Sequence, residues 1–197
     1  MNAKRSYRLG KRAEKMEETR RRITEAAVEL HGTVGPAETQ ISEIARRAGV
    51  ARLTVYNHFP DDASLFAACS SHWLARHPAP AFDSWEEIDD PCDRLVTGLT
   101  ELFGWYRKGE DMLSNVFRDV ATVPALKEVM DDGLGVYMDA VRQVLAAPFD
   151  VEAERRHRVE AAVRAATDFH LWKALSSLGD EEAADLAAGL VERATTR

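Results

Sequence analysis

The sequence predicts an all-α chain: an amino-terminal three-helix helix-turn-helix domain followed by a larger helical domain. Three observations carry this expectation. Apolar residues recur at three- and four-residue spacing in every strongly patterned segment. No segment keeps the two-residue alternation of a half-buried strand. Residues Thr39–Phe59 read as a short helix, a glycine turn and a second short helix.

The elements follow in order. Ile23, Ala26, Ala27 and Leu30 place one apolar stripe on a first helix. Ile41, Ile44, Ala45 and Ala48 do the same for a second, with Ser42, Glu43, Arg46 and Arg47 facing outward. Gly49 supplies the left-handed conformation that ends this helix, and Val50 is the apolar plug before the next. From Arg52 to Phe59 a third helix gives Val55 and Phe59 to the core. That leaves Arg52, Leu53, Thr54, Tyr56, Asn57 and His58 on or near the opposite face, offering donors and acceptors to bases and phosphates. A second helix in this position is the one that enters a DNA groove.

Asp61 and Asp62 open a fourth helix through Ala75, with Leu65, Phe66, Cys69 and Trp73 at helical spacing. His77-Pro-Ala-Pro-Ala81 stops it, because proline cannot continue a helix and biases its predecessor toward extended backbone. The expected organisation is therefore a basic arm over 1–21, a helix-turn-helix domain with its connecting helix over 22–77, and a carboxy-terminal helical domain over 78–197. In that last domain Leu95, Leu99, Leu102, Phe103 and Tyr106 form one stripe, and Met112, Val116 and Phe117 mark a short helix. A longer stripe runs through Leu126, Val129, Met130, Leu134, Tyr137, Val141, Val144 and Leu145, opened by Pro124 and closed by Pro148. Val159, Ala162, Val163, Ala166 and Phe169 give a face of small residues, and Ala183, Leu186, Ala187, Leu190, Val191 and Ala194 a final stripe.

The net charge of −7 by itself argues against a nucleic-acid partner, but it is unevenly distributed. Residues 1–60 hold 12 Lys/Arg against 7 Asp/Glu, and residues 61–197 hold 14 against 26. The basic end thus coincides with the helix-turn-helix. Nine of its cations lie in residues 1–22: Lys4, Arg5, Arg8, Lys11, Arg12, Lys15, Arg20, Arg21 and Arg22. They suit an arm along phosphates or in a minor groove, or else a solvated tail. Two cysteines, Cys69 and Cys92, are too few for a disulfide framework. Cys69 and His72 have a spacing that metal sites use, but further ligands are lacking, so neither metal nor cofactor is expected. No apolar run approaches the ~18 residues of a bilayer span, and no signal-peptide core is present, so a soluble cytoplasmic protein is expected. No nucleophile–base pair, paired carboxylates or phosphate loop appears at a convincing spacing, so an enzyme is not expected.

From Arg22 to Phe66 the chain resembles the tetracycline-repressor-like (TetR) regulators. The resemblance rests on the Ile23-to-Leu30 stripe, Gly35, Thr39, Ile44-Ala-Arg-Arg-Ala-Gly-Val50, Thr54-Val-Tyr-Asn-His-Phe-Pro60 and Leu65-Phe66. The sequence departs from the family's pattern at three points. Ala51 replaces a capping serine, Leu53 a glycine, and Asp62 a lysine that meets the DNA backbone. Leu53 suits an apolar contact with a thymine methyl.

The resemblance implies a dimeric regulator that binds a palindromic operator in double-stranded DNA and is released by a small-molecule effector. The DNA-binding candidates are Thr39, Gln40, Arg52, Leu53, Thr54, Tyr56, Asn57 and His58. The arm, Thr39, Tyr56 and His58 would contact phosphates, and Arg52, Leu53, Thr54 and Asn57 would read bases. The carboxy-terminal helices would form the homodimer. A largely apolar effector would lie among Trp105, Tyr106, Phe117, Tyr137, Phe169 and His170, with Tyr106 and His170 as polar contacts. The alternative is a helical ligand-binding or interaction protein with weak or vestigial DNA binding.

Overall fold

The computed structural model describes residues 3–196, with side chains from Gly10 onward. The helices are α1 (Ala3–Thr33), α2 (Ile41–Ala48), α3 (Arg52–His58), α4 (Asp62–Arg76), α5 (Pro91–Lys108) and α6 (Glu110–Asp119). They continue with α7 (Pro124–Met130), α8 (Val136–Ala146), α9 (Ala153–Ala166), α10 (Phe169–Leu175) and α11 (Asp180–Thr196). A 3-10 turn, Asp83–Trp85, precedes α5, and a π-turn, Asp131–Gly135, joins α7 to α8. No strand occurs among the described residues. No helix among them is long and apolar enough to cross a membrane.

The chain divides into two compact units. One holds the residues through Arg76 together with Asp111–Met130; the other holds His77–Glu110 and Asp131–Arg197. The first of these changes of unit lies between Arg76 and His77, at the start of the proline segment. Residues 111–130, which the sequence reading places in the carboxy-terminal domain, belong to the first unit, where α7 packs on α4. Polar contacts of α6 explain the difference. Asn115 donates to the His31 carbonyl at 3.0 Å, and Arg118 to the Val34 carbonyl at 3.0 Å.

The first unit is built on α1, which packs against α2 and α4. Its core joins Ile23, Ala26, Ala27 and Leu30 with Ile44, Ala45, Ala48, Val55, Phe59, Leu65 and Cys69. Burial raises the Cys69 thiol to about 12, which makes it a packing residue. The basic arm expected over 1–21 differs from the structure: from Ala3 onward it continues as helix α1. Arg21 pairs with Glu18 at 2.7 Å and Glu25 at 2.9 Å, the one-turn spacings that support such a helix. The side chains of Lys4, Arg5 and Arg8 lie outside the described residues. Asp61 caps α4 by accepting from the Ser64 N–H at 2.7 Å.

In the second unit α5 packs on α8, α10 and α11, and α9 on α8 and α11. Asp90 caps α5 through the Cys92 and Asp93 N–H groups, with Pro91 in the first turn where no donor is lost. The predicted stripe Leu95, Leu99, Leu102, Phe103 and Tyr106 is buried. Trp105 Nε1 donates to the His77 carbonyl at 3.0 Å and Tyr137 to the Pro80 carbonyl at 2.9 Å, which pins the proline segment. Arg107 bonds Asp180 at 2.8 Å and the carbonyls of Ser176 and Leu178, tying the α10–α11 turn to α5. The last stripe turns out otherwise than expected. Ala183, Ala184, Ala187, Ala188 and Val191 face the core, while Leu186 and Leu190 are 55% and 47% exposed. An alanine face lets α11 lie close to α5, which rotates the leucines outward.

Gly98 marks a close approach of α5 to Leu145 of α8 and to Trp85. A Cβ there would lie 2.6 Å from Leu145 Cδ2 and 3.2 Å from Trp85 Cε3. Gly98→Val is therefore expected to lower the unfolding free energy by about 1–3 kcal/mol in urea titrations, whereas Gly179→Ala, which meets open space, should not lower it.

Candidate nucleic-acid interface

The turn between α2 and α3 is fixed by backbone chemistry. Gly49 has φ of 64°, donates its N–H to Arg46 O at 3.2 Å, and is followed by Val50, whose N–H reaches Ala45 O at 3.0 Å. These two bonds form the Schellman arrangement that satisfies the last carbonyls of a helix, and it needs the left-handed residue that glycine supplies. Helix α3 has only seven residues and no side-chain cap at Ala51. Its orientation comes from burial, with Val55 fully buried and Phe59 2% exposed.

Two arginines of α1 reinforce this frame. Arg22 Nε donates to the Ala48 carbonyl at 3.1 Å and its Nη2 to the Gly49 carbonyl at 3.3 Å. Arg20 Nη1 donates to the His58 carbonyl at 2.7 Å, and its guanidinium lies 4.2 Å from the Phe59 ring centroid. The arm reading gives both to phosphates; the structure spends them on helix-end carbonyls, the groups that lack partners at a C-terminus. On α2, the Glu43 carboxylate lies between Arg46 and Arg47, which hold it down at about 2.

The loop before α2 is held from α6. Asp119, 4% exposed, accepts from the Ala37 N–H at 3.0 Å and from Arg118 Nε at 2.7 Å. Burial alone would raise its carboxyl; the Arg118 guanidinium and the Ala37 N–H outweigh burial and hold it below the usual range. Gly35, with φ of 97°, sits where any Cβ would collide with the Arg118 guanidinium. Nearby His31 is 4% exposed, with its ring tilted against that of Phe66 at 5.4 Å between centroids. Burial pushes its imidazole down to about 4, only partly offset by Asp119.

The structure brings most of the DNA-binding candidates together on α3. Arg52, Leu53, Tyr56 and Asn57 are exposed, Thr54 and His58 half-buried. Arg52 Nη2 donates to the Tyr56 hydroxyl at 3.3 Å, one turn along the same face. Gln40 is exposed at the start of α2, with its amide oxygen accepting from Ser42 at 3.3 Å. Thr39 is half-buried in the loop before α2. Its hydroxyl donates to Gly35 O at 2.7 Å and its N–H to Pro36 O at 3.2 Å, so both of its protons serve the loop. Sequence reasoning gave Arg20 and Arg22 another role and missed Arg118 and Asp119, because each of the four bonds backbone groups that no side-chain pattern announces.

The effector candidates are less coherent. Trp105, Tyr106 and Phe169 form one buried aromatic cluster with Trp172; Tyr106 lies 5.4 Å from Phe169 and 5.7 Å from Trp172. The Tyr106 hydroxyl donates to the Thr167 carbonyl at 2.8 Å, and burial raises its pKa. Tyr137 is half-buried 6.4 Å from Trp105. Phe117 belongs to the other compact unit. His170 is 69% exposed, 3.4 Å from Asp168, whose side chain caps α10.

Residues 23–69 match the family described as bacterial regulatory proteins, tetR family. The chain is similar to the HTH-type transcriptional regulator TtgR of Pseudomonas putida, 40% identical over 78 residues. It is also similar to AcrR of Shigella flexneri, 39% identical over 57 residues. These alignments cover 39% and 29% of this chain, and only 37% of TtgR and 26% of AcrR. Among solved structures, a transcriptional regulator from Rhodococcus sp. Rha1 has a TM-score of 0.60 at 20% identity over 88% of this chain and 96% of that one. The multidrug binding protein EbrR complexed with ethidium has 0.57 at 22% over 91% and 99%. At such identities these likenesses concern the fold.

Arg22→Ala is expected to cost about 1–3 kcal/mol of unfolding free energy, because it leaves carbonyls at the α2 terminus without their charged donor. Because folded His31 titrates near 4 and an unfolded histidine near 6.5, the unfolded state binds the extra proton between those values. The stability that neutral His31 confers is complete above pH ~6.5 and falls by up to about 3 kcal/mol toward pH ~4. Denaturant titrations across this window should show a flatter profile for His31→Gln than for the parent chain.

Proposed function

We propose that this chain is a transcriptional repressor of the tetR type, which binds a palindromic operator as a homodimer and is released by a small molecule. The observation that carries the reading is the exposed face of α3. Arg52, Leu53, Tyr56 and Asn57 face solvent on a helix anchored from behind by Val55 and Phe59. Seated in a major groove, the first turn of such a helix meets base edges. Arg52, Leu53, Thr54 and Asn57 take that role, while Gln40, Tyr56 and His58 contact phosphates and set the register. Thr39 supports the reader by bracing the loop before α2.

The exposed pair Leu186 and Leu190, one turn apart on α11, supports association through the carboxy-terminal helices. A palindromic operator requires the α3 helices of a two-fold pair to lie about 34 Å apart, one turn of DNA. The aromatic cluster around Tyr106, Phe169 and Trp172 supports a largely apolar effector, and EbrR, of similar fold, is complexed with ethidium. A ligand that binds the DNA-incompetent arrangement more tightly shifts the population toward it by that difference in affinity. The cytoplasm is the compartment such a reader works in.

In vitro selection of duplex DNA with the purified full-length chain tests the reading. The expected result is a palindromic consensus, with log affinity falling linearly and steeply against log salt. Binding without sequence preference would favour the interaction-protein alternative. Leu186→Asp with Leu190→Asp is expected to shift sedimentation from dimer to monomer while helical circular dichroism persists. Operator affinity should then fall by about tenfold or more, since one half-site no longer holds the other.

A further inference from the structure

Leu53 is the most exposed large apolar side chain among the described residues, at 69%. It contributes nothing to the core that orients α3, because Val55 and Phe59 lie on the other side of that helix. It occupies the second position of α3, in the turn that a helix of this kind points at base edges. Tyr56, 44% exposed, is one turn away, and Arg52 beside it is held by the Tyr56 hydroxyl. A leucine beside the base reader Arg52 is costly against most of the major groove, where donors and acceptors would lose water without gaining a partner. The thymine 5-methyl is the apolar feature of that groove.

We propose that Leu53 is the specificity-determining residue of α3 and packs on a thymine 5-methyl in each operator half-site. This rests on the DNA-reading function proposed above. Packing the isobutyl group on the methyl removes apolar surface of both from water, and a cytosine at that position offers an amino group with no acceptor to meet it. The Arg52–Tyr56 bond leaves Leu53 a defined flank, so the thymine occupies one fixed position relative to the bases that Arg52 reads.

The test uses the duplex selected by the full-length protein, with each thymine of a half-site replaced in turn by deoxyuridine, which removes only the methyl. At one position the parent chain should lose about three- to tenfold in affinity. Leu53→Ser should bind the thymine and uracil duplexes equally, and Leu53→Met should keep the discrimination. Because Leu53 is exposed, all three proteins should melt alike, so a change in binding reports the contact. Selective binding in which every uracil replacement is silent, or in which Leu53→Ser still discriminates, overturns the proposal and leaves the DNA-reading function standing. An absence of any selective binding overturns both.

Discussion

Burial of Val55 and Phe59 in the first unit's core is the constraint from which the interface follows. A seven-residue helix has no stability of its own in water, since nucleation costs more than so few hydrogen bonds return. Without a side-chain cap at Ala51, α3 depends still more on what lies behind it. Anchoring one face in a packed core leaves the other rigid and exposed, and rigidity in that face is what separates base reading from loose attraction to phosphates. Arg20 and Arg22 extend the anchor by closing the carbonyl ends of α3 and α2.

The same logic governs the loop before α2. Gly35, Ala37 and Thr39 are held by Arg118, Asp119 and one another, and the buried carboxylate of Asp119 is matched by a guanidinium and a backbone N–H. A buried charge of this kind is tolerable only because its partners are in place. Residues far apart in sequence, on α6 and in the α1–α2 loop, therefore set the start of α2 as firmly as the local pattern does.

Much of this was legible in the sequence, for reasons particular to each element. The helix-turn-helix was, because Ile44, Ala45, Ala48, Gly49, Val55 and Phe59 follow a spacing that few other arrangements satisfy. The stripe of α5 was, because large apolar residues at helical spacing have one place to go. Charged residues were harder. Arg20 and Arg22 look like phosphate ligands in a basic run, and only the fold reveals the carbonyls within their reach. Leu186 and Leu190 share a period with Ala187 and Val191, so periodicity assigned them to one face; close packing of alanines decided otherwise. His170 looked like a buried polar contact because of its aromatic neighbours, whereas the Asp168 cap turns the chain there and leaves it exposed. The placement of 111–130 depends on hydrogen bonds to His31 and Val34, which no local pattern encodes.

Hydrogen–deuterium exchange of the full-length chain with and without its selected duplex tests the central claim most directly, that α3 is a rigid DNA reader held from behind by the core. Amides of residues 52–58 and of the α2 start at 40–42 should gain protection in the complex, with Val55 and Phe59 slow to exchange even in the free protein. Protection confined to other segments, or fast exchange across α3 in both states, would contradict the account.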